Sequence, residues 1–387
     1  MHRDSKKTGS TTGRILFVAN TDWYLYNFRL NLLKESAKHG WQVVFASPPG
    51  DYFRPLQNEG FEGHTVPLDS KGLNPWREFK ALLQLAAVFR TTQPDTVHLF
   101  TLKCVLYGCL VAPFARGAHI VGAITGMGHL FTTRSWRTRL LKTPVLLAMK
   151  AALKLSGAHL VFQNESDRDE FIEHRLIPRA RTSVIRGSGV DCSHFCPKER
   201  SASERPLSLL FCGRLLKEKG ITEYLAATDR LRELGAVFTS TIAGAPYPGN
   251  PSSLNEDQVD ALRKNADHNY IGHSEDMKTL FSEADIVVLP TYREGTPKAL
   301  LEAAASGCII VTTDIPGCQG IVDPHLNGHL VPIQEVEPLV AALQDLISST
   351  PQQRASMREH SRTIALERFS DVEVNRRTVA LYASKSA

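Results

Sequence analysis

Short apolar runs alternate with helical stretches along this chain, and they do so in two successive series. The first series runs through 14–20, 41–47, 96–100, 119–124 and 159–162. The second runs through 207–212, 238–243, 270–271, 285–289 and 309–312. Helical signals fall between them, at about 28–39 and 75–92 in the first series and at 221–234, 276–283 and 297–306 in the second. A run that is apolar at successive positions is covered on both faces, as parallel strands are, and parallel strands need crossover connections. The expected fold class is therefore α/β, with two doubly wound Rossmann-like domains facing each other across a cleft. The chain has 387 residues, more than one ordinary core accommodates. A flexible tail is expected over 1–13, an N-terminal domain over 14–190, a linker over 191–206 and a C-terminal domain over 207–370. The linker assignment rests on Gly187, Gly189, Pro197 and the polar stretch that follows.

Composition narrows the class. Apolar residues make up 42% and charged residues 22%, ordinary for a soluble globular protein. No apolar run is long enough to span a bilayer, and Met1–Gly13 lacks the apolar core of a signal peptide. Seven cysteines with no CxxC pair fit reduced thiols and a cytoplasmic location. Cys192-Ser-His194-Phe-Cys196 stands alone, without the further ligand pairs of a zinc site. The net charge of +5 hides an asymmetry: residues 1–205 carry 28 Lys and Arg against 17 Asp and Glu, and the remainder is net acidic. Between Thr96 and Asn164 there are eight basic residues and no acidic one. Such a field attracts phosphates, nucleic acid or an anionic membrane surface. No helix-turn-helix, aromatic-interleaved RNA motif or zinc finger accompanies it, so no nucleic-acid partner is expected.

Two motifs carry chemistry. In Tyr292-Arg-Glu294-Gly-Thr-Pro-Lys-Ala-Leu-Leu-Glu302, a strand ends, Pro297 suits a first helical turn, and the backbone at Gly295, Thr296, Pro297 and Lys298 lies at a helix N-terminus. Free amides and the helix dipole favour an anion there. Glu294 precedes the helix and can reach ligand hydroxyls, while Glu302 lies about one and a half turns inside it. A surface loop acid and a solvated helix acid are the plain alternatives. In Phe211-Cys-Gly213-Arg214-Leu-Leu-Lys217-Glu-Lys219-Gly220, Gly213 permits close backbone approach and Arg214 and Lys219 offer a guanidinium fork and a point charge to phosphate oxygens. A basic turn is the plain alternative. Neither segment is a Walker loop or GxGxxG, which argues against an NTPase or an ordinary dinucleotide enzyme.

In combination these segments resemble the signature of family-4 retaining glycosyltransferases, of GT-B architecture. Gly307, Thr313-Asp314-x-Pro316-Gly317-Cys318, Asn327-Gly328-His-Leu-Val-Pro332 and Arg186-Gly-Ser-Gly-Val-Asp191 fit it too. Asn20-Thr-Asp-Trp-Tyr-Leu-Tyr-Asn-Phe-Arg29, His98-x-Phe-Thr-x-Lys103 and Thr125-Gly126-Met-Gly128 are similar to enzymes that add a hexosamine or hexose to undecaprenyl-diphosphate-linked sugars. The resemblance implies that Arg214 and Lys219 hold the donor diphosphate, that Glu294 contacts the donor sugar, and that Glu302 binds ribose hydroxyls. It places His273 in the loop that lines the base, and Asp191 and Ser188 at the interdomain join. It turns Asn27, Arg29, His98, Lys103 and Thr125 toward the acceptor. It also implies that a final helix, 371–385, returns to the N-terminal domain. Where many relatives have a Gly-Gly pair in the first loop, this chain has Asp22-Trp-Tyr-Leu-Tyr-Asn27. The histidine that assists the donor sugar has two candidates, His98 and His129, with a buried structural histidine as the default.

The expected donor is a UDP-hexosamine or UDP-hexose, and the expected acceptor a lipid-diphosphate-linked glycan precursor. No cofactor or metal is expected, because Arg214 and Lys219 supply the positive charge. Asp167-Arg-Asp169 looks like a metal-binding DxD, but it opens a helix, where acids suit the dipole. Residues 134–155, basic and apolar together, suit either a helix pair on the inner face of the cytoplasmic membrane or two core helices with solvated basic faces. The rival readings are another GT-B enzyme, such as a nucleotide-sugar 2-epimerase or a glycogen-type synthase, and a non-catalytic anion-binding protein.

Overall fold

The computed structural model describes residues 12–68, 74–126, 136–198 and 205–383, with only the backbone given for 136–143. The chain divides into two compact units, the first made of 1–188 and 374–387, the second of 189–373. In the first, seven parallel strands lie in the order β3-β2-β1-β4-β5-β6-β7. They are β1 Gly13–Val18, β2 Trp41–Ser47, β3 Glu62–Thr65, β4 Thr96–Phe100, β5 His119–Ile124, β6 His159–Phe162 and β7 Thr182–Val184. The helices of this unit are α1 Leu30–Lys38, α2 Phe53–Asn58, α3 Pro75–Thr92, α4 Leu102–Val111, α5 Trp136–Ser156 and α6 Glu165–Glu173. Strand β1 shows why its run is apolar throughout. Leu16 and Val18 enter the core on one face, beside Val97 and Leu99. Ile15, Phe17 and Ala19 enter the core on the other.

The second unit has six parallel strands in the order β10-β9-β8-β11-β12-β13. They are β8 Leu207–Cys212, β9 Phe238–Ala243, β10 Asn269–Gly272, β11 Ile286–Leu289, β12 Ile309–Thr313 and β13 Gly328–Val331. The helices are α7 Ile221–Glu233, α8 Glu256–Lys264, α9 Met277–Glu283, α10 Lys298–Ala305, α11 Val336–Ser348 and α12 Pro351–Arg368. A last helix, α13 Asp371–Ala383, begins in the second unit. From Val374 onward it belongs to the first unit, where Val374, Val379 and Tyr382 join the core around Phe17.

Several expected boundaries are corrected. The tail is shorter than 1–13: Gly13 is already in β1, and Thr12 donates from its amide to the Gly40 carbonyl at 3.0 Å. Residues 191–198 are not a free linker. Next to them, the Val190 amide donates to the Phe369 carbonyl and the Asp371 amide to the Val190 carbonyl, and Arg362 donates to the Cys192 and Phe195 carbonyls at 2.8 and 2.7 Å. The helix expected at 28–39 starts with a π segment, Leu25–Arg29, before α1. Within the segment 134–155, the described residues from Trp136 onward form one helix, α5, with Pro144 inside it, and not a pair. Strands β3, β7 and β13 were not read from the sequence because they are short and carry polar residues at or next to a sheet edge. Among the described residues no helix is long and apolar enough to cross a membrane.

Candidate functional site

In both sheets the strand order reverses direction beside one strand, between β1 and β4 and between β8 and β11. Ligands of open parallel sheets bind outside the strand carboxyl ends at such a switch point. In the second unit the loops that leave β8 and β11 carry Gly213–Gly220 and Pro290–Pro297, the two motifs singled out by sequence.

These loops are pressed together by backbone contact. Gly220 has a φ of 79°, and a Cβ on it would lie 2.1 Å from the Pro290 carbonyl oxygen. Only glycine satisfies both demands. Tyr292 donates from its amide to the Glu218 carbonyl at 2.9 Å, and the Thr291 hydroxyl donates to the same oxygen at 3.0 Å. On the other side, a Cβ on Gly317 would fall 2.1 Å from the Glu294 carbonyl oxygen, so the loop after β12 supports the loop after β11 from below.

Across this junction Lys219 and Glu294 form a hydrogen-bonded ion pair, with side chains 17% and 18% exposed. Glu302, on α10, is almost fully buried, and its nearest cation is Lys298 at 3.5 Å. Burial holds its carboxyl above the usual glutamate range, with Lys298 opposing the shift. Beneath lie two buried thiols. That of Cys318, which feels both Glu294 and Lys219, is pushed up by burial to about 12. The Cys212 thiol, raised further still, feels Glu302 and Lys219. Lys219, Glu294 and Glu302 are thus electrostatic neighbours around one floor. Pro297 caps α10, and the N–H groups of Gly295 and Thr296 have no acceptor among the described residues. Arg214 is exposed and lies over the Tyr247 ring at 4.9 Å, a partner that sequence reasoning missed because the loop after β9 gives no charge signal. His273 is exposed beyond β10, two strands from β8, and no contact among the described residues ties it to the Lys219–Glu294 pair.

In the first unit the expected acceptor residues separate into two groups. Arg29, His98 and Thr125 line one small cavity with Gln163, Gly187 and Thr378. Arg29 is 5% exposed and donates to the Tyr24 hydroxyl from Nε and a terminal nitrogen, at 3.0 and 2.9 Å. His98 is fully buried, with Nδ1 2.7 Å from the Tyr382 hydroxyl. Burial, and then the Arg29 guanidinium, keep its ring below the ordinary histidine range. Lys103 lies apart, held by Glu78 at 2.7 Å, and Tyr107 donates to the other oxygen of that carboxylate. Asn27 donates to the Trp23 carbonyl at 3.0 Å. His129 lies outside the described residues. Tyr24 and Tyr382 were missed by sequence. Tyr24 stands five positions before Arg29, across the π segment Leu25–Arg29, whereas nothing local marks Tyr382.

The remaining candidates have structural partners. Asp191 caps its own turn, accepting from the Ser193 and His194 amides at 2.9 Å. Asp167 is buried and accepts from Asn164, while Asp169 pairs with Arg168 and Arg179.

Residues 196–364 match the family described as glycosyl transferases group 1, and residues 14–164 match the one described as glycosyl transferase 4-like. The chain is 24% identical over 327 residues to the N,N'-diacetylbacillosaminyl-diphospho-undecaprenol alpha-1,3-N-acetylgalactosaminyltransferase of Campylobacter jejuni, covering 81% of this chain and 84% of that relative. It is 25% identical to an Escherichia coli UDP-Gal:alpha-D-GlcNAc-diphosphoundecaprenol alpha-1,3-galactosyltransferase, over 72% of this chain and 73% of the relative. Its fold is similar to that of Anabaena Alr3699/HepE, solved in complex with UDP and glucose: the TM-score is 0.75 at 17% identity, over 96% of this chain and 99% of the other.

Proposed function

Because this chain belongs to the group 1 glycosyl transferases, with a first half of the 4-like kind, we propose that it moves a hexosamine or hexose from a UDP-linked donor to a lipid-diphosphate-linked glycan, with retention of configuration. The reading is supported by the relatives named above, which act on diphosphoundecaprenol-linked glycans. The observation that carries it is the Lys219–Glu294 pair at the β8–β11 switch point.

Without a donor, Glu294 neutralises Lys219. A diphosphate entering between the loops offers Lys219 a stronger anionic partner, which frees Glu294 to accept from sugar hydroxyls. Arg214, held over Tyr247, and the amides of Gly295 and Thr296 add donors to the same phosphate. As the bond from the anomeric carbon to the phosphate oxygen breaks, negative charge grows on the phosphate where these fixed donors lie. The acceptor hydroxyl attacks the face that the phosphate leaves, and its proton passes to that phosphate. Such a reaction requires no protein nucleophile, and the two cations make a metal unnecessary. Glu302, desolvated by burial, accepts from the paired hydroxyls of a ribose.

The acceptor's lipid requires a membrane surface, and the first unit offers one. Trp76, Phe79 and Leu83 are exposed at i, i+3 and i+7 on α3, with Trp76 81% exposed, and Arg77 and Lys80 are interleaved. Helices α3, α4 and α5 pack in sequence, and Leu110 on α4 and Leu147 and Leu155 on α5 are exposed as well. An apolar stripe flanked by basic residues suits an anionic interface. The stripe supports a peripheral position at the inner face of the cytoplasmic membrane as part of this reading.

The test is transfer from UDP-sugars to lipid-extract acceptors in the presence of a chelator. Glu294→Ala is expected to lower turnover by roughly 10²–10³-fold, as loss of a preorganised polar contact does, with unchanged circular dichroism. Retained activity in that variant removes Glu294 from the site. Free UDP and a rearranged sugar without acceptor identify an epimerase instead.

A further inference from the structure

Arg29 is a buried guanidinium with no carboxylate partner among the described residues. Among the described residues its one hydrogen-bond acceptor is the Tyr24 hydroxyl, and it also lies over the faces of Phe100 and Tyr24, at 4.9 and 5.6 Å. A buried charge is ordinarily paired, because desolvation is otherwise uncompensated. A guanidinium carries five N–H donors, and Tyr24 accepts only two of them.

His98 lines the same cavity. Its Nδ1 is taken by Tyr382, and its buried Nε2 has no partner among the described residues. The proton can be assigned by accounting. The Tyr382 hydroxyl is fully buried, and Nδ1 of His98 is its one hydrogen-bond partner among the described residues. A buried hydroxyl donates where it can. Tyr382 therefore gives its proton to Nδ1, and the neutral ring carries its own proton on Nε2. The cavity is then lined by the Arg29 guanidinium, which keeps three N–H donors beyond the two taken by Tyr24, and by His98 with its Nε2–H, together with Thr125 and Gln163 and, among the described residues, no acid. It lies beside the β1–β4 switch point, with β5 and β6 contributing their carboxyl ends. Its free volume is about 10 Å³, near the room one water takes, which is also the room for one oxygen of a larger anion.

We propose that Arg29 and His98 form an oxyanion-binding pocket that seats one oxygen of a diphosphate, and that Tyr382 is a positioning residue which fixes His98 as the donating tautomer. The proposal rests on the transferase reading for the origin of the ligand, an isoprenyl-linked diphosphate. The pocket's chemistry would take free pyrophosphate as well.

The experiment uses the full chain with UDP at saturation, so that anion sites in the second unit are filled. UDP binding is measured first, in the wild type: its absence overturns the donor reading, and the pyrophosphate titrations still decide the pocket on their own. Inorganic pyrophosphate and geranyl diphosphate are then titrated calorimetrically. Arg29→Gln is expected to weaken both by about tenfold to a hundredfold, the usual worth of a charge-assisted hydrogen bond. Tyr382→Phe, which keeps the ring and its packing, is expected to weaken both severalfold. Equal affinity for the two probes assigns recognition to the headgroup alone, and tighter geranyl diphosphate assigns part of it to the lipid. Nitrogen-15 spectra of the imidazoles supply a readout that simple loss of packing would not give: the wild type should show His98 protonated at Nε2, and pyrophosphate should shift that signal. An Nδ1-protonated ring, or undiminished binding in Arg29→Gln, overturns the proposal.

Discussion

Glu302 shows how a single buried acid is poised for a ligand. Its carboxyl sits above the ordinary glutamate range because burial outweighs Lys298. Raised affinity for the proton in the folded state means that stability is fullest below the unfolded glutamate pKa and declines as pH climbs through the folded value. Glu302→Gln holds the side chain neutral. It should raise the urea midpoint of the unliganded protein at neutral pH and flatten this part of the pH dependence. The same substitution should weaken UDP by about tenfold or more, since a carboxylate accepting two hydroxyls is replaced by a poorer acceptor. Greater stability with undiminished UDP affinity would remove Glu302 from the ribose site.

At the scale of elements, the switch-point loops are held by glycine and carbonyl contacts more than by side chains. Gly220→Ala combines a left-handed φ with a Cβ 2.1 Å from the Pro290 carbonyl. It should cost roughly 1–3 kcal/mol in urea unfolding, and more where the loops cannot separate. On α3, replacing Trp76 and Phe79 by Gln should abolish co-sedimentation with phosphatidylglycerol vesicles while leaving the fold intact, because both rings are exposed. Binding that survives locates the membrane contact elsewhere. The core strands of both sheets were legible because burial on two faces leaves an uninterrupted apolar run, as at Ile309–Thr313. That Lys219 and Glu294 would meet was legible because each follows closely on such a run, in loops that leave adjacent strands. Strand β3, Glu-Gly-His-Thr, was not legible, since an edge strand need not be apolar. Nor was the engagement of Lys103 by Glu78, two residues 25 positions apart whose meeting depends on how α3 and α4 pack.

At the scale of the molecule, each unit has its own sheet and core, so a single two-state transition is not expected. Calorimetry should resolve two transitions. UDP at a hundred times its Kd should stabilise one of them, that of the second unit, by about 2.7 kcal/mol. A uniform shift of all the heat absorbed would mean that the units melt as one.

The return of α13 to the first unit also sets an order for synthesis. His98 waits for Tyr382, 284 positions later. At about 5–20 residues per second, that interval is roughly 14–60 s on the ribosome. Through it the Phe17 side of the first sheet lacks its Val374, Val379 and Tyr382 cover. The half of the chain made first is thus finished last, and nascent molecules stalled before the final turns of α13 should be the ones that chaperones retain and proteases cut.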